Sequence, residues 1–424
     1  MSFLSQSLSS SVHRLVQALS SVILVVSMMN AWGDGEYGFY SYHIAIATIL
    51  LVLAEFGTPN VFRRELSDPD GLSEVEVFSN MIVFRMLCSI PVAIACLYFS
   101  WHYQTWFYLP YLIVAILLIF RLAEYSLEVS FKNEVVSKTK TVVYLCGLVA
   151  KLVFVFSGYG LEFIALVTML EHCVFTIVFM RHSEFIFSRH VLSFPVLKVF
   201  ISMALVFALS YFVVVLGGRI YTLLIFNILD DVSTGIFSFS TRLVELILVP
   251  TQIFASVLLP LLMKVGCKEQ FKSIYSDAVC MIFYGYILCT CLFVIIQEPF
   301  LKLIIDDYVP ISDFVVTYVV LVPFMAMYAL STVFYTAKGA LRLILFRSLI
   351  FLIASVLSGY LLINLFELQG VVLSVVISYV IVESVSFFFF SESKEELKLR
   401  LLHMTKFMAI RGAVLRLYKL KLEP

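Results

Sequence analysis

The chain has 424 residues, of which 62% are hydrophobic, and its 29 basic residues balance 29 acidic ones. A soluble domain is ordinarily about half apolar, whereas the apolar excess here recurs along the whole chain and gives a mean hydropathy of +1.02. The composition therefore excludes a soluble globular fold and predicts an all-α integral membrane protein. The balanced charge gives no reason to expect a nucleic-acid partner.

Apolar runs long enough to cross a bilayer core, which takes about 20 helical residues, occur twelve times. In chain order the predicted spans are 14–33, 38–58, 77–100, 107–130, 140–157, 160–180, 198–224, 235–262, 274–296, 313–336, 343–363 and 370–390. The stretch 393–424 is predicted to be a basic amphipathic cytoplasmic tail.

Lysine and arginine concentrate in alternate loops between the predicted spans, such as those with Arg63 and Lys132, while the other loops carry acids such as Asp34. Because basic loops stay on the cytoplasmic side, both termini are predicted to be cytoplasmic, in a multi-pass inner-membrane protein. The outer loops are short, which argues against an extramembrane catalytic domain. We therefore expect a transporter and not an enzyme, with no cofactor and no metal site.

Two sequence echoes suggest an internal repeat. The segment 37–42 (YGFYSY) resembles 234–239 (TGIFSF), and the pair Gly158 and Glu171 has a counterpart in Gly370 and Glu383. Both offsets are close to half the chain. They predict two six-helix halves, 1–190 and 191–392, related by a pseudo-two-fold axis along the membrane normal.

Charged side chains inside the predicted spans cost about 2.5–3.5 kcal/mol each at a helix centre, so they should face the bundle interior or water. These residues are Arg85, Arg121, Glu124, Lys151, Glu171, Arg219, Arg242, Glu245 and Glu383. Arg121 with Glu124, and Arg242 with Glu245, are three residues apart and so share a helix face. Each such pair is predicted either to close the bundle or to contact a substrate.

Arg85, Lys151 and Arg219 have no carboxylate within one helical turn of sequence. A buried cation needs an anion from elsewhere. That anion could be Glu171 or Glu383 on another helix, or a substrate phosphate. His43, also inside a predicted span, is open to two interpretations: a satisfied core histidine or a proton-coupling group.

Four local patterns in the chain resemble those of the Wzx O-antigen flippases, which belong to the multidrug/oligosaccharidyl-lipid/polysaccharide exporter superfamily. The patterns are Gly35–Ser41 followed by Glu55-Phe56-Gly57 and Arg63-Arg64-Glu65, Gly235–Ser238 with Arg242–Glu245 and Pro260, Asp307–Pro310, and Gly370. One departure is that family members often carry an acid shortly after the position of Arg219, where this chain has Tyr221. An ion pair at that place is therefore in doubt.

The resemblance implies a flippase that moves undecaprenyl-diphosphate-linked O-antigen repeat units from the cytoplasmic to the periplasmic leaflet by alternating access. The sequence has no G-x-x-x-x-G-K-[ST] nucleotide-binding loop, so an ion or substrate gradient would supply any energy. Expected partners are this lipid-linked oligosaccharide, membrane lipids and other polysaccharide-assembly membrane proteins. The substrate is predicted to enter a cationic central cavity lined by Arg85, Lys151, Arg219, Arg242 and Arg121. Structural or coupling roles are predicted for Glu124, Glu171, Glu245, Glu383 and His43.

Two alternatives remain open. A membrane-embedded polysaccharide polymerase or glycosyltransferase would ordinarily carry a larger outer loop than this chain has. A drug/cation antiporter of the same superfamily would need an acid-rich cavity. Here the intramembrane cations are as numerous as the acids, which favours an anionic ligand.

Overall fold

The computed structural model describes residues 3–66, 72–130, 132–183, 188–265, 267–305 and 309–404. Every regular element in these ranges is helical, so the predicted all-α class is confirmed. Eight of the described helices are long and apolar enough to cross a membrane, or nine if one bent pair counts as a single span. The described part of the chain divides into two compact units, unit 1 (Met1–Arg219) and unit 2 (Ile220–Pro424).

Unit 1 contains seven helices and the first part of an eighth. They are α1 (Phe3–Glu55), α2 (Thr58–Leu66), α3 (Glu74–His102), α4 (Tyr108–Phe120), α5 (Leu122–Val129), α6 (Asn133–Phe156), α7 (Leu161–His182) and α8 (Phe194–Ile228). A short 3-10 turn, Arg189–Val191, precedes α8. Ser73 caps α3 by accepting a hydrogen bond from the Glu76 backbone N–H, which satisfies one of the free donors at that helix start.

Unit 2 contains the end of α8 and six further helices. They are α9 (Asp231–Lys264), α10 (Lys268–Ile304), α11 (Val309–Val319), α12 (Val322–Ala337), α13 (Leu341–Phe389) and α14 (Ser391–Met404). The Asp230 side chain caps α9 through the Ser233 N–H at 2.6 Å. The cap gives this acid a structural role at the helix start.

The number of apolar helices differs from the twelve predicted spans because some helices are continuous across two of them. Helix α1 covers the first two predicted spans and is interrupted at Gly33, whose φ of 83° suits glycine. Helix α13 covers the last two and is interrupted at Glu367. The fourth predicted span corresponds to α4 and α5, which meet at Arg121. The count of twelve stays a prediction.

The core of unit 1 extends into α8. Phe200 and Ala204 of α8 are buried in one cluster with Phe62 of α2 and Phe78 of α3. This packing explains why unit 1 runs to Arg219, beyond the boundary at residue 190 that the spacing of the echoes predicts. The six-plus-six division of the helices remains a prediction.

Gly57 sits where α1 ends and α2 begins, and the backbone of α8 passes directly beside it. Its φ is +67°, and a Cβ at this position would lie 2.5 Å from the Ala208 nitrogen and 2.6 Å from the Ala204 oxygen. Only glycine combines this backbone conformation with so close an approach. Gly57 therefore permits the close approach of α8 to the junction of α1 and α2.

In unit 2, α12 packs against α9 and α10, and α14 packs against α10, α12 and α13. Helix α14 forms the first part of the predicted tail 393–424, and the remainder, 405–424, lies outside the described residues. The predicted motif Asp307–Pro310 also lies partly outside them. Two charged side chains of α14, Glu396 and Arg400, are buried, at 0% and 7% exposure.

Candidate functional site

Arg85 of α3 is completely buried, with 0% exposure. Its Nε donates to the Thr58 hydroxyl at 2.7 Å, its Nη1 donates to the Leu118 carbonyl, and its guanidinium lies 5.5 Å from the Tyr125 ring centre. All of these partners are uncharged. Among the described residues Arg85 makes no ion pair, and its Nη2 has no hydrogen-bond partner.

Arg121 and Glu124 form the centre of a second charged cluster in unit 1. Arg121 Nε donates to Glu124 Oε2 at 2.6 Å, and Arg121 Nη1 reaches Glu55 Oε1 at 3.5 Å. Lys140 of α6 donates to the other Glu124 oxygen, and the Tyr125 hydroxyl donates to Glu55 at 3.3 Å. Two cations thus face two carboxylates, so the cluster is neutral as a whole.

Lys151 of α6 pairs with Glu171 of α7. Its Nζ lies 2.8 Å from Glu171 Oε1 and 2.9 Å from Oε2, and both side chains are mostly buried. Gly147, one turn before Lys151, leaves the space for this carboxylate, because a Cβ there would overlap Glu171 Oε1. Of the anions that the sequence leaves open for Lys151, the structure selects Glu171.

Unit 2 holds a larger charged network around Glu383. Both terminal nitrogens of Arg347 donate hydrogen bonds to this carboxylate, at 2.9 and 3.2 Å, and Arg400 forms an ion pair with it at 2.9 Å. Such a bidentate arginine–carboxylate contact is among the stronger charge-assisted interactions. Arg400 also donates to Glu396 at 3.1 Å, so the network joins α13 to α14.

Glu396 is held by hydroxyl groups as well as by Arg400. The Tyr275 hydroxyl donates to its Oε1 at 2.6 Å, and the Tyr335 hydroxyl lies 3.4 Å from its Oε2. Burial raises the pKa of Glu396 above its ordinary value, and Arg400 and the Tyr275 hydroxyl oppose that rise without cancelling it. The neighbouring Glu395 behaves differently. Although burial acts to raise its pKa, hydrogen bonds from Lys338 and Lys272 bring that pKa below its ordinary value.

The repeat predicted from Glu171 and Glu383 has a counterpart in these contacts. Each glutamate pairs with a cation on the preceding apolar helical segment, Lys151 for Glu171 and Arg347 for Glu383. The two pairs differ in spacing, with 20 residues between Lys151 and Glu171 and 36 between Arg347 and Glu383, and the repeat stays a prediction. Glu383 differs by taking a second cation, Arg400, from α14.

The remaining predicted cations occupy different surroundings. Arg242 donates to Glu245 at 2.6 Å, and this pair is more exposed than the others, at 25% and 48% of the side chains. Arg219 is half-buried at the end of unit 1. Within unit 1, Arg85 Nη1 and the Arg121 backbone N–H both donate to the Leu118 carbonyl. Convergence of all five predicted cations on one cavity stays a prediction.

His43 of α1 is fully buried in an aromatic cluster. Its Nδ1 lies 2.6 Å from the Tyr108 hydroxyl, and the rings of Phe39 and Tyr103 pack against it at 4.2 and 4.8 Å. Its Nε2 is buried and has no hydrogen-bond partner among the described residues. The surroundings fit a core histidine, and no carboxylate pairs with it in this part of the chain.

Sequence reasoning misses five charged members of these clusters: Glu55, Lys140, Arg347, Glu396 and Arg400. Glu55 and Arg347 carry a usable signal, because both lie inside predicted spans, 38–58 and 343–363. Glu396 and Arg400 carry none, since a charged pair four residues apart in a polar tail is ordinarily a solvated helix face. Only the docking of α14 reveals them.

No protein-family model matches the sequence, and no curated protein matches it significantly. Solved structures do match the fold. The lipid II flippase MurJ in an inward closed conformation superposes with a TM-score of 0.69 at 16% identity, over 95% of this chain and 92% of that one. The MATE multidrug transporter DinF-BH superposes with a TM-score of 0.68 at 17% identity, over 92% of this chain and 95% of that one.

A Vibrio cholerae MATE transporter gives a TM-score of 0.62 at 14% identity, over 95% of this chain and 98% of that one. At these identities the similarity establishes architecture, and function has to be argued from the site. The chain therefore has the all-helical membrane fold shared by MATE transporters and the MurJ flippase.

Proposed function

We propose that this chain is a flippase of the Wzx type, which moves undecaprenyl-diphosphate-linked O-antigen units across the bacterial inner membrane. In this proposal both termini are cytoplasmic, and the halves 1–190 and 191–392 rock about the substrate in alternating access. The polyprenyl chain stays in lipid while the diphosphate and sugars pass through the protein. The fold shared with the MurJ flippase supports a transport role.

The observation that carries the proposal is the charge of Arg85. It is completely buried, and among the described residues no carboxylate lies within ion-pair distance of it. Burying an ionised group without a counter-charge is expensive. A protein that keeps such a cation in a membrane span gains if an anionic ligand offsets that cost. A diphosphate is an anion of suitable charge.

The paired cations extend the same argument. Lys151 and Arg121 each have a carboxylate partner in the structure, Glu171 and Glu124. Arginine and lysine bind phosphate by charge-assisted hydrogen bonds about twice as strong as neutral ones. In the proposed cycle the substrate phosphates compete with these carboxylates, which makes binding and conformational change interdependent.

The first test is genetic. Arg85→Ala and Arg85→Lys are expressed at equal levels in a strain that lacks its own flippase, and surface O-antigen is measured. Loss of one charged contact to phosphate should reduce the transport rate by roughly tenfold to a hundredfold, and Arg85→Lys should recover part of it. Arg63→Ala is the matched control, because Arg63 also lies over the Tyr125 ring but already pairs with Glu128 at 2.7 Å.

A second, biochemical test separates this proposal from the drug/cation antiporter. Purified protein in liposomes is supplied with a fluorescent undecaprenyl-diphosphate sugar in one experiment and with tetraphenylphosphonium in another. Folding of each variant is checked by gel filtration. Flipping of the anionic lipid that depends on Arg85 supports the proposal. Uptake of the cation without lipid flipping contradicts the proposal. A normal amount of surface O-antigen with Arg85→Ala in the genetic test also contradicts it.

A further inference from the structure

Unit 2 contains a polar cavity of about 580 Å³, and none of its lining residues belongs to the buried ion pairs. Its polar lining consists of Gln297, Glu298, Ser312, Asp313, Thr317 and Gln369, and Val316 completes it. The residues come from the end of α10, from α11 and from α13. The volume lies within the range of about 300–1,000 Å³ that is usual for small-molecule sites.

The side chains of this polar cavity favour one class of ligand. Two amides and two hydroxyls both donate and accept hydrogen bonds, and two carboxylates accept them. A sugar hydroxyl also donates and accepts, so the lining complements a hydroxyl-rich molecule. Among the residues that the structure describes, no lysine or arginine lines the cavity. Glu298 and Asp313 would repel a phosphate bound in the cavity, so the anionic part of a substrate would have to bind elsewhere.

One side chain of the cavity, Gln297, is already held by the protein before any ligand arrives. Gln297 is 7% exposed, and its Oε1 accepts a hydrogen bond from the Ser312 hydroxyl at 3.1 Å, which fixes the amide orientation. A rotamer that is already ordered loses less entropy on binding.

Gln369 is positioned by an unusual turn of the backbone. Glu367, two residues earlier, has φ 51° and ψ −134°, a conformation that non-glycine residues rarely adopt. Gly370, one residue later, packs against the Leu362 carbonyl so closely that a Cβ would overlap it. Strain of this kind persists where surrounding structure enforces it and is frequent at ligand sites.

We propose that the polar cavity binds an uncharged, hydroxyl-rich group, and that in the proposed flippase, on which this assignment of the ligand rests, the group is the sugar part of the lipid-linked substrate. By the positive-inside prediction the cavity faces the periplasm, because its residues flank two predicted outer loops. It would therefore hold the sugars after the head group has crossed. The phosphate-binding and sugar-binding residues are thus separate sets.

Saturation-transfer NMR on the full-length protein in lipid nanodiscs tests the assignment. The probes are three uncharged disaccharides, diacetylchitobiose, lactose and mannobiose, and one cation, tetraphenylphosphonium. Gln297→Ala combined with Gln369→Ala removes two amide contacts and should weaken disaccharide binding by about tenfold or more. Asn364→Ala is the matched control, because its exposed amide lies on the same helix outside the cavity and bonds only the Tyr360 carbonyl in the described structure.

A second variant distinguishes a sugar from a cation. Glu298→Gln combined with Asp313→Asn keeps the hydrogen-bonding groups and removes the negative charges. Disaccharide binding should survive this change within about threefold, since each hydrogen bond contributes modestly. The inference is supported if at least one disaccharide binds saturably, if its binding is weakened by the two glutamine substitutions, and if it is retained after the two carboxylates are neutralised.

Three outcomes overturn it: no saturable disaccharide binding, equal loss in Asn364→Ala, or cation binding that disappears with the two carboxylates. Failure of the inference is distinguishable from failure of the proposed function. If the protein flips the lipid-linked probe but binds no free disaccharide, only the sugar site is wrong. If it binds the disaccharide but flips no lipid, only the flippase proposal is wrong.

Discussion

Replacing Lys151 by methionine should destabilise the protein by an amount that depends on pH. The variant leaves the Glu171 carboxylate buried, at 6% exposure, without its partner at 2.8 Å. Removing one member of a buried ion pair ordinarily costs about 3–5 kcal/mol. This destabilisation has an upper limit, because the unpaired Glu171 can take up a proton, and neutralising an ordinary glutamate at pH 7 costs about 3.7 kcal/mol. We therefore expect Lys151→Met to lower the free energy of unfolding by about 3–4 kcal/mol at pH 7.

The sign of the pH dependence follows from the same limit. At pH 5 the cost of protonating an ordinary glutamate falls to about 1 kcal/mol. The destabilisation by Lys151→Met should therefore shrink by roughly 2–3 kcal/mol between pH 7 and pH 5. Lys151→Met combined with Glu171→Gln removes both charges and should stay within about 1–2 kcal/mol of the unsubstituted protein at both pH values, since an apolar or neutral replacement of a buried pair is often tolerated.

The assay is reversible unfolding of the purified protein in mixed micelles, followed by tryptophan fluorescence and repeated at the two pH values. Lys138→Met on the same helix is the control, because Lys138 pairs with Glu134 at the surface, with 73% and 37% of the side chains exposed. A surface pair contributes at most about 1 kcal/mol. The reasoning about the buried pair is refuted if Lys151→Met lowers the free energy of unfolding no more than Lys138→Met does. It is also refuted if Lys151→Met lowers that free energy equally at both pH values.

Two further stability predictions concern the packing of α2 and the docking of α14. Gly57→Ala should abolish or greatly reduce the yield of monodisperse protein, because its Cβ would lie 2.5 Å from the Ala208 nitrogen, whereas Gly158→Ala, with similar φ but nothing within 4 Å, should cost only about 1–2 kcal/mol. Glu396→Gln keeps an acceptor for the Tyr275 hydroxyl and removes an ionisable group whose pKa is raised by burial. A carboxyl with a raised pKa favours the folded state below its ordinary pKa and loses that contribution as pH rises. As pH rises from 4.5 to 8, the melting temperature of Glu396→Gln should therefore increase relative to that of the unsubstituted protein. A constant difference between the two melting temperatures would contradict the raised pKa of Glu396.

Composition and charge position are enough to predict the fold class, because lipid requires long helices with internally satisfied backbones. They also predict the burial of Arg85, Glu124 and Glu171, whereas Arg242 and Glu245, predicted in the same way, are more exposed. Lys151 illustrates the limit of this reasoning. Its position in a span shows that it needs an anion, but a choice between Glu171 and Glu383 depends on which helices are neighbours. That choice is tertiary information, and helix periodicity does not contain it.

Helix breaks mark a second limit. Hydropathy alone divides 14–58 into two spans, whereas the structure is helical on both sides of Gly33, and α13 breaks at Glu367, a residue with no intrinsic preference for a positive φ. At that break the backbone of Gly370 packs directly on Leu362, where a Cβ would overlap the Leu362 carbonyl. A sequence pattern based on propensity misses the break, because such a contact between segments is tertiary information.

The anchoring of α14 has a practical consequence for anyone who handles this protein. A truncation that ends the chain at Phe390 would remove Glu396 and Arg400. The Tyr275 hydroxyl would then lack its carboxylate partner, and Glu383 would keep one of its two arginines. Reporter fusions and affinity tags should therefore be joined beyond Met404. A truncated variant with low activity would otherwise be mistaken for proof that the C-terminal extension recognises cargo, when the loss would lie in the integrity of the second helical bundle.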